Sequence, residues 1–180
     1  MAPGPLSGVR VLDLSRLLPG PCATLVLADL GAEVVKVEDP EGGDYLRHLP
    51  PLTSDEGGGG MFAALNRGKT SIVIDLKSPD GPALLAKLCA KADVLVEGFR
   101  PGVLEKFGLG PAALVERFPR LIVCSITGFG RSGPWKDRAG TTSATSRSRV
   151  RWLAVAAHLR QRPASPGCSS RTSWAGPRRR

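Results

Sequence analysis

The last forty residues contain no Asp, no Glu and no Lys, although they hold nine Arg. Met1 to Gly140 carries 16 basic and 16 acidic residues, so the whole formal charge of +9 sits between Thr141 and Arg180. A charge of that size ordinarily points to nucleic acid or an anionic membrane surface, but the neutral part predicts neither partner. Two segments are expected: a core-forming domain over 1–140 and an Arg-rich, disordered tail over 141–180.

Other absences narrow the field. No apolar run approaches the roughly 18 to 20 residues that a membrane-spanning helix needs, and Met1-Ala2-Pro3-Gly4-Pro5 lacks the basic start and apolar stretch of a secretion signal. A cytoplasmic location is the expectation. Cys22, Cys89, Cys124 and Cys168 form no C-x-x-C and no His-paired spacing, so disulfides and zinc are not expected. The first three lie in apolar runs and read as small buried thiols. Gly57 to Gly60 lacks the Lys-Ser/Thr ending of a phosphate loop and reads as a flexible connection.

What is present is an alternation of strands and helices. Val9 to Leu14 reads as a strand that turns at Pro19-Gly20-Pro21, Cys22 to Leu30 as a helix stopped by Gly31, and Glu33 to Glu38 as a second strand. Glu41 to Gly60 reads as a long loop. Ser71 to Leu76 resumes the strand pattern, and Ser78 is placed to cap a helix over Pro82 to Ala92, with Pro79 at its first position. A fourth strand, Asp93 to Glu97, follows. Two short Pro-led helices, Pro101 to Phe107 and Pro111 to Phe118, lead to a fifth strand at Leu121 to Thr127, apolar as a central parallel strand should be. This order implies an α/β, Rossmann-like parallel sheet with flanking helices. Beyond Gly140 only Trp152 to Leu159 keeps any period, too short for a domain.

In open α/β sheets ligands gather at the carboxyl ends of the strands. Those ends hold Ser15 to Pro21, Asp39-Pro40, Lys77 and Gly98 to Gly102, and Arg16, Lys77, Arg100 and Lys106 are candidates for neutralising phosphates. Taken singly, each Pro-Gly pair is more often only a turn and each cation more often a solvated side chain.

The set in order is more specific. Gly8 to Leu14, Gly20-Pro21, Leu27 to Glu38, Leu65 to Ser71, Asp75-Leu76-Lys77, Asp93 to Glu97, Phe99-Arg100-Pro101-Gly102, Pro119 to Ile122 and Gly128-Phe129-Gly130 cover nearly all of residues 6 to 140. This series resembles the family III CoA-transferases, the CaiB/BaiF family, which includes formyl-CoA transferases, carnitine CoA-transferases and α-methylacyl-CoA racemases. The resemblance implies acyl-CoA as substrate, a carboxylic acid as acceptor, no metal, and a homodimer of interlocked subunits. It implies that coenzyme A lies along Leu18, Pro19, Ile74, Asp75, Leu76, Lys77, Gly98, Phe99, Arg100 and Lys106, with Ala139 and Gly140 at the thioester end. One departure is Asp39, where the family often has Arg; an acid there would repel a phosphate of CoA.

The family's chemistry uses either an Asp that attacks the thioester to form a mixed anhydride, or a His and an Asp that exchange the proton α to the thioester. Both positions fall beyond Gly140, so no catalytic residue is named, and the chain is expected to be truncated before them and inactive alone. The codons explain why. Gly140, Thr141, Thr142, Ser143, Ala144 and Thr145 are GGN, ACN, ACN, TCN, GCN and ACN. Read from the free third base, and continued to Trp152, they permit Ala-Gly-His-Asp-Ile-Ser-Tyr-Leu-Ala-Val-Ala-Gly-Ala-Leu, a racemase-like continuation of the family. A one-base deletion in or near the Gly140 codon is the expectation, and the Arg-rich composition is what GC-rich DNA gives out of frame. The alternative is a non-catalytic protein that uses the basic tail to hold nucleic acid or another anion without sequence specificity; only Trp152 and Trp174 are there for stacking, and no recognition fold accompanies them.

Overall fold

A computed structural model describes residues 4–52, 58–138, 140 and 153–155. Its centre is a sheet in the order β3-β2-β1-β4-β5-β6. β1 (Arg10–Leu14), β2 (Glu33–Glu38), β3 (Thr70–Val73), β4 (Val94–Glu97) and β5 (Ile122–Ser125) are parallel, while β6 (Leu153–Val155) runs antiparallel on the edge of β5. Leu12 lies opposite Val35 on one side and Leu95 on the other. The order reverses between β1 and β4, which is where open sheets of this class place their crevice.

The central strands β1 and β4 bury side chains on both faces, as parallel strands covered by helices do. One face packs Leu12, Leu14 and Leu95 with Leu85, Ala86 and Cys89 of α3 (Gly81–Cys89) and Leu114 of α4 (Pro111–Arg117). The other packs Val11, Val34 and Val96 under Leu27 and Ala28 of α1 (Pro19–Asp29). α1 thus covers one face while α3 and α4 cover the other, and the α/β, Rossmann-like expectation is met for the parallel strands.

Several local expectations change. Pro19-Gly20-Pro21 is the first turn of α1, because a helix's first N–H groups need no intrahelical acceptor and proline fits there. Cys22 is exposed, since α1 turns Gly20, Pro21, Thr24 and Leu25 inward. Burial does push the Cys89 thiol up to about 11, as an inert buried cysteine requires. The third helix starts at Gly81 with Asp80 before it; Ser78 still satisfies an end of it, its hydroxyl accepting from the Gly81 N–H at 3.1 Å. The stretch expected to be loop holds a 3₁₀ turn, Tyr45–Arg47, and α2 (Gly60–Asn66) begins at its last residue. Gly59 is no flexible connection: its N–H donates to the Arg47 carbonyl at 2.8 Å and it bridges to Leu52. Pro101 to Phe107 forms only a 3₁₀ turn, Leu104–Phe107. β6 is a strand inside the segment expected to be disordered; an antiparallel partner satisfies backbone groups that an edge strand otherwise leaves unpaired. The rest of 141–180, with Cys168, Trp152 and Trp174, lies outside the described residues.

Candidate functional site

The carboxyl ends of β1, β2 and β3 enclose a cavity of about 170 Å³. Leu14, Val37, Ile74, Leu76, Phe99, Val103 and Phe107 give it apolar walls, and Arg16, Glu38, Asp39, Glu41, Asp75 and Lys77 give it charged ones. Ile74, Asp75, Leu76, Lys77 and Phe99, expected from sequence to contact a ligand, meet here. Leu18 and Pro19 stand exposed at the start of α1, and a Cβ on Gly98 would lie 3.7 Å from the Ser15 Cβ at the β1–β4 switch. Arg100 and Lys106 are exposed beyond β4 and do not line the cavity. Gly140 packs on Gly128, so closely that a Cβ on Gly128 would sit 2.5 Å from the Gly140 Cα. Ala139 lies outside the described residues.

The turn Asp75 to Pro79 forms one wall. The Lys77 N–H donates to the Asp75 carboxylate at 2.8 Å and the Ser78 hydroxyl to the Asp75 carbonyl at 2.7 Å, an Asx-type closure that fixes both side chains at the rim. Gly81 lets α3 pass beneath it: a Cβ there would lie 1.8 Å from the Asp75 carbonyl oxygen. Gly81→Ala is therefore expected to push this wall outward and cost about 2 kcal/mol, as overpacking against backbone does. A urea melt checks this, and an unchanged midpoint refutes it.

Beneath the cavity lies a polar network that sequence reading missed. Asp13, fully buried, accepts from the Ser15 N–H at 3.0 Å and its hydroxyl, from the Thr24 hydroxyl at 2.5 Å and from Lys69 Nζ at 3.2 Å. Lys69 also donates to the Pro21 carbonyl and the Asn66 side chain; burial lowers its pKa, against the Asp13 charge that raises it. Lys36 Nζ donates to the Ser15 carbonyl at 2.9 Å and pairs with Asp44 at 3.0 Å. Asp44 in turn accepts from the Leu17 N–H, whose residue has a φ of 61°. A non-glycine residue held left-handed between β1 and α1 marks a turn that its surroundings over-determine. The missed signal lay in β2: Lys36 and Glu38 share the parity of Val34, so both point inward.

On the far side of the crevice, Glu97 is 1% exposed and burial raises its pKa, although Ser125, the Phe99 N–H and Arg131 oppose that shift. Arg131 reaches it at 3.4 Å and also pairs with Glu105. The glycine-rich segment 128–134 is thereby tied to β4 and to the 3₁₀ turn after it.

Comparison with known proteins decides what this arrangement belongs to. The sequence profile of CoA-transferase family III matches residues 6–171. The chain belongs to CoA-transferase family III. That match extends past Gly140, where the motif-by-motif resemblance was expected to stop. A succinate–glutarate CoA-transferase of Agrobacterium fabrum is 51% identical over 141 residues, 76% of this chain and 35% of that protein. The human succinyl-CoA:glutarate CoA-transferase is 46% identical over 143 residues, 79% of this chain and 32% of that one. The crystal structure of a CaiB/BaiF family protein from Brucella suis superposes with a TM-score of 0.73 at 47% identity, covering 77% of this chain and 37% of that one. The chain spans about a third of the length of these curated relatives. Of the residues expected to contact CoA, the cavity at β1 to β3 brings together Ile74, Asp75, Leu76, Lys77 and Phe99. Among the described residues no group of His, Cys, Asp and Glu is arranged to hold a metal, and no helix is long and apolar enough to cross a membrane.

Proposed function

We propose that residues 1–140 form the CoA-binding part of an enzyme that moves CoA from an acyl-CoA to a carboxylic acid acceptor. The observation that carries this reading is the cavity where Ile74, Asp75, Leu76, Lys77 and Phe99 converge at the carboxyl ends of the strands. The relatives' names support CoA transfer, and several pair succinyl-CoA with a second dicarboxylate. Leu18, Pro19 and Gly98 would border the pantetheine path, with Arg100 and Lys106 reaching phosphates from outside and Ala139 and Gly140 at the thioester. The intact enzyme would be a cytoplasmic, interlocked homodimer.

No catalytic residue is assigned within 1–140. We read 141–180 as a shifted-frame version of the family's continuation, so that the 180-residue chain binds CoA weakly and does not turn over. A second reading, α-proton exchange, rests on the His-Asp that the shifted frame yields after Ala-Gly. Restoring one base at the Gly140 codon in the source DNA tests both. The restored open frame is expected to continue into family sequence and to transfer CoA from succinyl-CoA to a dicarboxylate, which the 180-residue chain does not. Deuterium exchange at the α carbon without CoA transfer would support the second reading instead, and a restored frame that soon stops would refute the shifted-frame reading.

A further inference from the structure

Beyond β5 the chain from Gly128 to Arg138 forms a largely exposed strap. Its own contacts hold it together: Phe129 meets the Trp135 ring edge-on at 5.8 Å, the Arg138 guanidinium lies over Trp135 at 5.5 Å, and the N–H groups of Lys136 and Arg138 close turns on Gly133 and Trp135. Its attachment to the sheet is narrower. Among the described residues, every hydrogen bond and ion pair between 128–138 and the rest of the chain passes through Arg131. Its guanidinium reaches Glu97 at 3.4 Å and the Ser125 hydroxyl at 3.5 Å, the last residues of β4 and β5, and pairs with Glu105 on the 3₁₀ turn.

The two carboxylates are unlike. The Glu97 side chain is 1% exposed and accepts from the Phe99 N–H at 2.8 Å, whereas that of Glu105 is 44% exposed. We propose that Arg131 is a two-position latch, holding the strap against the ends of β4 and β5 while Glu97 is ionised and falling back on Glu105 alone, with the strap released, when Glu97 takes up a proton. A neutral carboxyl no longer makes the charge-assisted bond that a guanidinium favours, and Glu105 stays hydrated and charged. The groups that face Glu97 agree on where this happens. Burial raises its pKa above the ordinary 4.5 and repulsion from Glu105 raises it further; the Ser125 hydroxyl, the Phe99 N–H and Arg131 oppose that shift without reversing it. Cys124, beside it on β5, stays a neutral thiol because burial and the Glu97 charge raise its own pKa. Release therefore has its midpoint above pH 4.5. It leaves the sheet folded, since a carboxyl with a raised folded-state pKa adds stability below its unfolded value and loses it only as pH rises through the folded one.

Trp135 reports the strap. With Trp152→Phe and Trp174→Phe it is the one tryptophan left in the 180-residue chain. Its time-resolved fluorescence anisotropy is measured under reducing conditions from about pH 8 down to 4.5, with far-UV circular dichroism alongside. A fast nanosecond component, the mark of a mobile loop, is expected to grow through a single transition while the circular dichroism stays constant. Glu97→Gln and Arg131→Gln should show the mobile signal at every pH, and Glu105→Gln, which removes the like charge, should lower the midpoint by about one pH unit. Should the Trp→Phe background fail to fold, fluorotryptophan incorporated into the unaltered sequence gives Trp135 its own ¹⁹F resonance, and the same titration is read there. A Trp135 signal that is flat over this range, a transition that Glu97→Gln leaves in place, or one that coincides with loss of the circular dichroism overturns the proposal. The CoA reading is untouched by any of these results.

Discussion

Asp44→Ala is expected to cost about 3–5 kcal/mol, the usual consequence of breaking a buried ion pair from one side. That is enough to empty the folded state of a marginally stable domain. Asp44 and Lys36 are each 1% exposed and lie 3.0 Å apart. Alanine would leave the Lys36 ammonium with the Ser15 carbonyl as its remaining acceptor and would free the N–H groups of Leu17 and Leu46. The Leu17 N–H matters most, because a left-handed leucine costs about 1–2 kcal/mol and Asp44 is what holds it. Relaxation there would move Leu17 and Leu18 at the mouth of the β1–β4 crevice. Replacing both partners with apolar residues, Lys36→Met with Asp44→Leu, should recover much of the loss, since matched apolar pairs often equal a buried ion pair. Urea unfolding at neutral pH reads both effects. An Asp44→Ala loss below about 1 kcal/mol would sink the argument.

The sheet was legible because its strands are short, apolar and separated by helices of crossover length. β2 begins and ends at Glu33 and Glu38 as read, and β1, β4 and β5 begin one residue later than expected. The inward parity that Lys36 and Glu38 share with Val34 went unread, because charged residues are seldom buried without partners and sequence does not show the partners. Their partners sit 6 to 33 residues away, at Asp44 and Arg47 in a segment with no period of its own and at Ser71 in β3. α2 escaped notice for a related reason. Seven residues are too few to nucleate a helix alone, and tertiary contacts support this one: Arg47 lies over the Phe62 ring at 3.8 Å and Lys69 binds the Asn66 side chain. Of the site, the strand-end residues were legible from order and spacing. The pairing of Arg16 with Asp39 was not, because sequence shows the sign of a charge but not the neighbour that cancels it.

Acid should weaken this fold through Glu38. Burial opposes charge on this carboxylate, but two bonds from Arg47, at 2.8 and 2.6 Å, one from the Ser71 hydroxyl and one from the Asp44 N–H outweigh it and hold its pKa at about 2, below the ordinary 4.5. A carboxyl with a depressed folded-state pKa contributes stability that is fully present above the unfolded value and is lost as pH falls through the folded one. The Glu38 contribution, about 3 kcal/mol for a shift of this size, should therefore persist above pH ~5 and disappear between about pH 4.5 and pH 2. Glu38→Gln is expected to be less stable at neutral pH and to show a flatter acid limb; an acid limb as steep as that of the unaltered chain would show that other groups govern it. The consequence reaches the ligand cavity. Glu38 anchors the end of β2 on one side while Asp39 faces the rim on the other, so protonating Glu38 releases the turn that carries Asp39 and Glu41. Ligand binding by the folded 180-residue chain should then fail only as pH approaches about 2, where Glu38 itself takes up a proton, and in Glu38→Gln it should be weak already at neutral pH.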